Sequence, residues 1–93
     1  MYYAILVVKV KDYNEWLTTF PDISLIKNNG VESARVLQSL KNPNMAMVIT
    51  EWEDLESAKK FAESNELKDR MQAYGAINHK IYFLEEKLYY NKF

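Results

Sequence analysis

The chain has no cysteine, one histidine, two glycines and two prolines among its 93 residues. Without cysteine, a disulfide framework, a thiolate metal site and a cysteine nucleophile are all excluded. Gly30 and Gly75 alone do not make a glycine-rich phosphate loop. His79 has no carboxylate one helical turn away to share a metal ion, so no metal is expected. No apolar run approaches the roughly 20 residues that a membrane-spanning helix needs. The opening residues enter a strand pattern directly, with no basic region, apolar stretch and cleavage site, so a cytoplasmic protein with no membrane partner is expected. The net charge is −1. Lys59, Lys60, Lys68 and Arg70 are interleaved with Glu56, Glu63, Glu66 and Asp69, which describes a solvated face; no nucleic-acid partner is expected.

What is present is a dense apolar pattern. Hydrophobic residues make up 48 % of the chain and charged residues 27 %, and the apolar ones recur in every segment, so a single folded domain over 1–93 is expected. Tyr2 to Val10 is rich in Tyr, Ile and Val and predicts a strand. Asp12 then stands as a helix N-cap with Glu15 three residues on. Tyr13, Trp16, Leu17 and Phe20 follow on one helical face. Pro21 kinks or restarts that helix, Ile23, Leu25 and Ile26 continue its apolar side, and Gly30 after Asn28 and Asn29 suits a left-handed cap.

Val31 to Leu40 and Met45 to Glu53 predict a hairpin around Lys41-Asn42-Pro43-Asn44, with Leu40 opposite Met45, Arg35 opposite Thr50 and Ser33 opposite Trp52 unless a bulge shifts the register by one. Asp54 caps a helix whose face is Leu55, Ala58, Phe61 and Ala62. Ser64 or Asn65 caps a restart carrying Leu67, Met71 and Tyr74, closed by Gly75. Asn78 to about Lys87 is the fourth strand, and 84–93 ends in an aromatic tail. The order β-α-β-β-α-β is an α+β, ferredoxin-like pattern: an antiparallel four-stranded sheet with helices on one face.

That arrangement leaves the second sheet face to be polar in a monomer, yet both parities are apolar. Tyr3, Ile5 and Val7 alternate with Ala4, Leu6, Val8 and Val10; Met45, Met47 and Ile49 with Ala46, Val48 and Trp52; Tyr82 and Leu84 with Ile81 and Phe83; and Leu37 with Val36 and Leu40. Burying several hundred Å² against a second copy contributes on the order of 10 kcal/mol before association costs. A homodimer by sheet-face packing is therefore expected, and Leu88, Tyr89, Tyr90 and Phe93 are candidates to reach the partner.

Nearly the whole chain, from Met1 to about Glu86, resembles the antibiotic-biosynthesis monooxygenase domain of the dimeric α+β barrel superfamily. The carrying segments are Asp12-Tyr13-Asn14-Glu15-Trp16, Asn29-Gly30-Val31, Thr50 to Ala58, Phe61 to Lys68 and Ile81 to Glu86. The resemblance implies a dimer around a sheet barrel and a pocket between each sheet and its helices. It also implies chemistry among cofactor-independent oxygenases of polycyclic phenols, haem-degrading enzymes and decarboxylating or isomerising relatives. The haem-degrading branch carries a Trp and a His ten residues apart on the second helical segment and an Asn on the first strand. Here those helical positions are Phe61 and Met71 and the first strand has no Asn, so haem degradation is disfavoured and no cofactor is expected.

His79 is the only side chain that titrates near neutrality unaided, and it is the candidate base for a phenolic proton. Trp16, Trp52 and Phe61 are candidate pocket walls, with core packing as the alternative for each. Tyr3 and Tyr82 are candidates to orient a substrate oxygen. Arg35, like Lys9, lies in an apolar strand and must pair with a carboxylate such as Glu51 or Glu53, or face a wet cavity and an anionic group. Three functions stay open: a cofactor-independent monooxygenase or related proton-transfer enzyme on a small apolar or phenolic compound, a non-catalytic binder of an apolar metabolite, and a structural dimer.

Overall fold

The computed structural model describes residues 1–19, 30–73 and 75–91. Phe20, Pro21, Ile23, Leu25, Ile26, Asn28, Asn29, Tyr74 and Phe93, which the sequence assigns to helix, cap and tail positions, lie outside them. The described elements are β1 (Tyr2–Val10), α1 (Tyr13–Thr19), β2 (Ser33–Gln38), β3 (Met45–Trp52), α2 (Leu55–Ala62), α3 (Asn65–Ala73) and β4 (Ala76–Glu85). The four strands form one sheet in the order β2-β3-β1-β4, every neighbouring pair antiparallel. This is the ferredoxin-like arrangement that the sequence predicts.

Local chemistry sets the ends of the helices. The Glu15 amide donates to the Asp12 carboxylate at 3.2 Å. The Ser57 amide donates to the Asp54 carboxylate at 2.7 Å and the Ser57 hydroxyl to its other oxygen at 3.0 Å. These contacts satisfy amides that the first helical turn leaves open, and the Ser57 amide, first among the causes, holds the Asp54 carboxyl below its ordinary pKa. The break between α2 and α3 falls where expected: the Ser64 hydroxyl accepts the Leu67 amide at 3.2 Å. Gly30 and Gly75 have φ of 84° and 80°, the left-handed geometry that side chains other than glycine resist.

Three strand details differ from the sequence reading. Ser39, not Leu40, bonds Met45 through its amide at 2.9 Å, and its hydroxyl accepts the Asn42 amide at 3.0 Å. The hairpin register is therefore shifted by one, with Ser33 opposite Glu51 and Arg35 opposite Ile49. β2 is also shorter than 31–40. Its ladder begins beside Glu32, whose amide donates to the Glu51 carbonyl outside the regular register, and it ends where Ser39 enters the turn. β4 starts at Ala76 rather than Asn78, because a register irregularity between Lys9 and Val10 adds a pairing of Val10 with Ala76. It ends at Glu85 as β1 runs out, the Glu86 amide reaching the Met1 carbonyl at 2.9 Å.

The core lies between the sheet and the helices. Ala4, Leu6, Val8 and Val10 of β1 and Ala46, Val48 and Trp52 of β3 meet Trp16, Ala58, Phe61, Leu67 and Met71. Trp16 and Trp52 are fully buried, and each large apolar side chain in such a place contributes about 1.5–3 kcal/mol. The Trp52 and Phe61 rings pack at 5.4 Å between centroids, tilted by 40°. Leu17, expected on the buried face of α1, is 38 % exposed, because Tyr13 and Trp16 make that helix's packing against the core. No helix among the described residues is long and apolar enough to cross a membrane.

Candidate functional site

Residues paired directly across an antiparallel sheet share a face, so the register sorts every candidate side chain. His79 stands opposite Val8, Ile81 opposite Leu6 and Phe83 opposite Ala4. Val8, Leu6 and Ala4 are buried beneath the helices. His79, Ile81 and Phe83 therefore form a column on the helix side of β4, an outer strand. Ile81 is half-buried and packs on the core, while His79 and Phe83 are exposed. Among the described residues, this column is an imidazole at the head of an uncovered apolar strip.

The other expected pocket residues fall in two further places. Trp16, Trp52 and Phe61 are buried in the packed layer between sheet and helices. The Trp52 indole N–H donates to the Thr50 hydroxyl at 2.8 Å, which itself donates to the Ala4 carbonyl at 2.8 Å. Thr50 is the one buried polar residue among those described. Its place in the alternation Ala46, Val48, Thr50, Trp52 is the signal by which the sequence marks it. Arg35 and Tyr82 lie on the opposite face of the sheet, paired with Ile49 and Ile5. The structure thus brings Trp52 and Phe61 together and separates both from Arg35 and Tyr82.

That opposite face is a grid of rows. Ser33, Glu51, Tyr3 and Leu84 form one; Arg35, Ile49, Ile5 and Tyr82 the next; Leu37, Met47, Val7 and Lys80 the third; Met45, Lys9 and Asn78 the fourth. Its middle is apolar and open: Leu37 and Tyr82 are each 48 % exposed and Leu84 51 %. Two shallow depressions of about 320 Å³ each lie on it. One is bordered by Lys9, Asn78, Lys80 and Tyr82 over Val7 and Met45 and runs out at the edge strand beside His79, whose own side chain the register sets on the helix side; the other is bordered by Leu37, Gln38 and Ser39 over Met47. At the far end the Tyr3 hydroxyl donates to the Glu86 carboxylate at 3.0 Å. That bond first, then desolvation and the charge of Glu51, raises the Tyr3 pKa. The Ser33 hydroxyl donates to Glu51 at 2.8 Å.

Among the described residues no three His, Asp or Glu side chains are grouped to hold a metal ion. The description of the antibiotic biosynthesis monooxygenase family matches the sequence over residues 1–73. The chain belongs to that family. Its fold is similar to SnoaB, a cofactor-independent oxygenase from Streptomyces nogalater, with a TM-score of 0.80 and 10 % identity over 98 % of this chain and 97 % of that one. It is also similar to a conserved protein from Methanosarcina mazei, with a TM-score of 0.69 and 21 % identity over 92 % of each chain. No curated protein shows a significant sequence match. Within the antibiotic biosynthesis monooxygenase family, Phe61 and Met71 stand here at the two helical positions expected to carry Trp and His in haem degradation. Both are buried apolar side chains in the core.

Proposed function

We propose that this family member is a homodimeric, cofactor-independent monooxygenase of a small apolar or phenolic compound, acting on the helix side of β4. The observation that carries this reading is the His79–Ile81–Phe83 column. An imidazole there takes a phenolic proton, and Ile81 and Phe83 give an aromatic substrate apolar surface on which to lie. The deprotonated phenol passes electrons to O₂; the ring C–H para to the phenolic oxygen gives way to a C=O, so one oxygen atom stays as a quinone carbonyl and the other leaves as water, taking up the phenolic proton and the displaced hydrogen, with the ring itself supplying the electrons. The resemblance in fold to SnoaB supports that chemistry without a bound cofactor. Trp16, Trp52 and Phe61 act from behind, as the rigid floor that fixes the sheet.

The dimer belongs to the same reading. The open face carries Ile5, Val7, Met47, Ile49 and Leu84 in adjacent rows, and a contiguous apolar surface of that kind marks an interaction site. A second copy covers it with the same surface, enclosing Arg35 and Tyr82 between the two sheets.

A second reading rests on the packing of Trp16 and Trp52: with that layer filled, the strip on β4 holds an apolar metabolite without turning it over. Oxygen uptake in air with a hydroquinone-type substrate separates the two. Turnover that falls about 100-fold or more in His79→Gln supports the oxygenase; turnover unchanged in that variant removes His79 as the base. Binding without uptake favours the metabolite carrier, and mass spectrometry of ligands retained through native purification names what it carries.

A further inference from the structure

Lys9 of β1 pairs with Asn78 of β4, and Lys80 stands two residues further along β4, opposite Val7. The two lysines are therefore diagonal neighbours on the open face, about 7 Å apart at their bases. Among the described residues neither makes an ion pair, whereas Lys60 and Lys87 bond the carboxylates of Glu56 and Glu85. Like charges set side by side destabilise a sheet unless something offsets them. A lysine on an edge strand guards against stray strand pairing, which accounts for Lys80. It does not account for Lys9, because β1 is an inner strand. The pair borders the depression over Val7 and Met45. Asn78 and the half-exposed Tyr82 share that border, and among the described residues the Asn78 carboxamide and the Tyr82 hydroxyl make no hydrogen bond.

We propose that this depression binds a planar aromatic carboxylate. The ring lies on Val7 and Met45 beside Tyr82, and the carboxylate accepts charge-assisted hydrogen bonds from the ammonium groups of Lys9 and Lys80. Both halves of the ligand are needed. A neutral ring leaves the two cations without a counter-charge, and a bare anion leaves Val7 and Met45 in water. The site is separate from the His79–Ile81–Phe83 column, which lies on the helix side of the same strand. It sits at the end of the open face beside β4, an outer strand, so a ligand enters from the side even where a second copy covers the middle rows.

The test titrates naphthoate into the full chain and follows side-chain methyl resonances by NMR. The methyl groups of Val7 and Met45 are expected to shift saturably. Naphthamide, the same ring without the charge, is expected to bind at least about tenfold more weakly than naphthoate. The same loss is expected for naphthoate in the double variant Lys9→Gln, Lys80→Gln, whose far-ultraviolet circular dichroism should match the parent. The double variant Lys9→Arg, Lys80→Arg keeps both charges and should stay closer to the parent than the glutamine pair. Equal affinity for naphthoate and naphthamide overturns the proposal, and so does unchanged affinity in the folded glutamine variant. Shifts confined to the Ile81 methyl groups place the ligand on the helix side and overturn it as well, as does the absence of any saturable shift.

Discussion

The indole of Trp52 donates to the hydroxyl of Thr50 two residues earlier on β3, and that hydroxyl donates onward to the Ala4 carbonyl of β1. A fully buried Trp carries a polar N–H that must find an acceptor. Thr50 supplies one inside the apolar layer while its own proton ties two central strands together beyond the ladder.

Replacing Thr50 by Val keeps the shape and removes the relay. The Trp52 N–H then stays buried without an acceptor, and Thr50→Val is expected to cost about 1–3 kcal/mol. Thr50→Ser, which keeps the oxygen, should lose less. Urea unfolding of the two variants measures the difference; equal losses would assign the effect to the methyl group.

Met47 lies in the middle of the open face, beside Val7 and Leu37. Met47→Lys places a charge in the surface proposed to meet a second copy, where an unpaired ion loses its water. The dissociation constant by sedimentation equilibrium is expected to rise at least about 100-fold, with the far-ultraviolet circular dichroism of the folded chain preserved.

Asp54 gives a dependence on pH. Its carboxyl sits below its ordinary pKa because the Ser57 amide and hydroxyl bond the ionised form. The folded state thus binds that proton less readily than the unfolded chain. The cap's contribution is present above the unfolded pKa and is lost as pH falls through the lower, folded one. Asp54→Ala is expected to lower the melting temperature by a few degrees at pH 7. The gap between variant and parent should close on acidification below the ordinary carboxylate range. A gap that is constant down to pH 2 would count against the cap.

Gly75, with φ of 80°, has nothing within 4 Å of the position a Cβ would take. The cost of Gly75→Ala is therefore backbone strain alone, about 1–2 kcal/mol, and Gly75→Asn should cost less. Thermal unfolding of the pair tests this; a much larger loss for Ala would mean that packing, too, is disturbed.

The succession of elements along the chain is readable because periodicity is a property of each segment separately. Asp54 and Ser64 announce their caps within three residues, whereas β1 is apolar at both parities, so which of its faces meets the helices is not written in the strand itself. The site was harder to read. Whether Arg35 shares a face with Trp52 depends on the pairing of β2 with β3, and Ser39 sets that pairing through a turn contact that no periodicity records. His79 stood out for its chemistry, but its apolar neighbours Ile81 and Phe83 became a strip only once the sheet order made β4 an outer strand. For Trp16 and Trp52 an apolar helix face and a strand make core packing the default and a pocket wall the alternative; burial places both in the core.

β1 is the first strand in the chain and an inner strand of the sheet, so Tyr2 must find Trp52 on one side and Glu85 on the other. During synthesis it emerges from the ribosome well before either neighbour exists, carrying Ile5, Leu6, Val7 and Val8 in sequence. Such non-local pairing slows folding relative to helical domains of this size. It also gives a nascent-chain chaperone an extended apolar segment to hold until the last strand arrives.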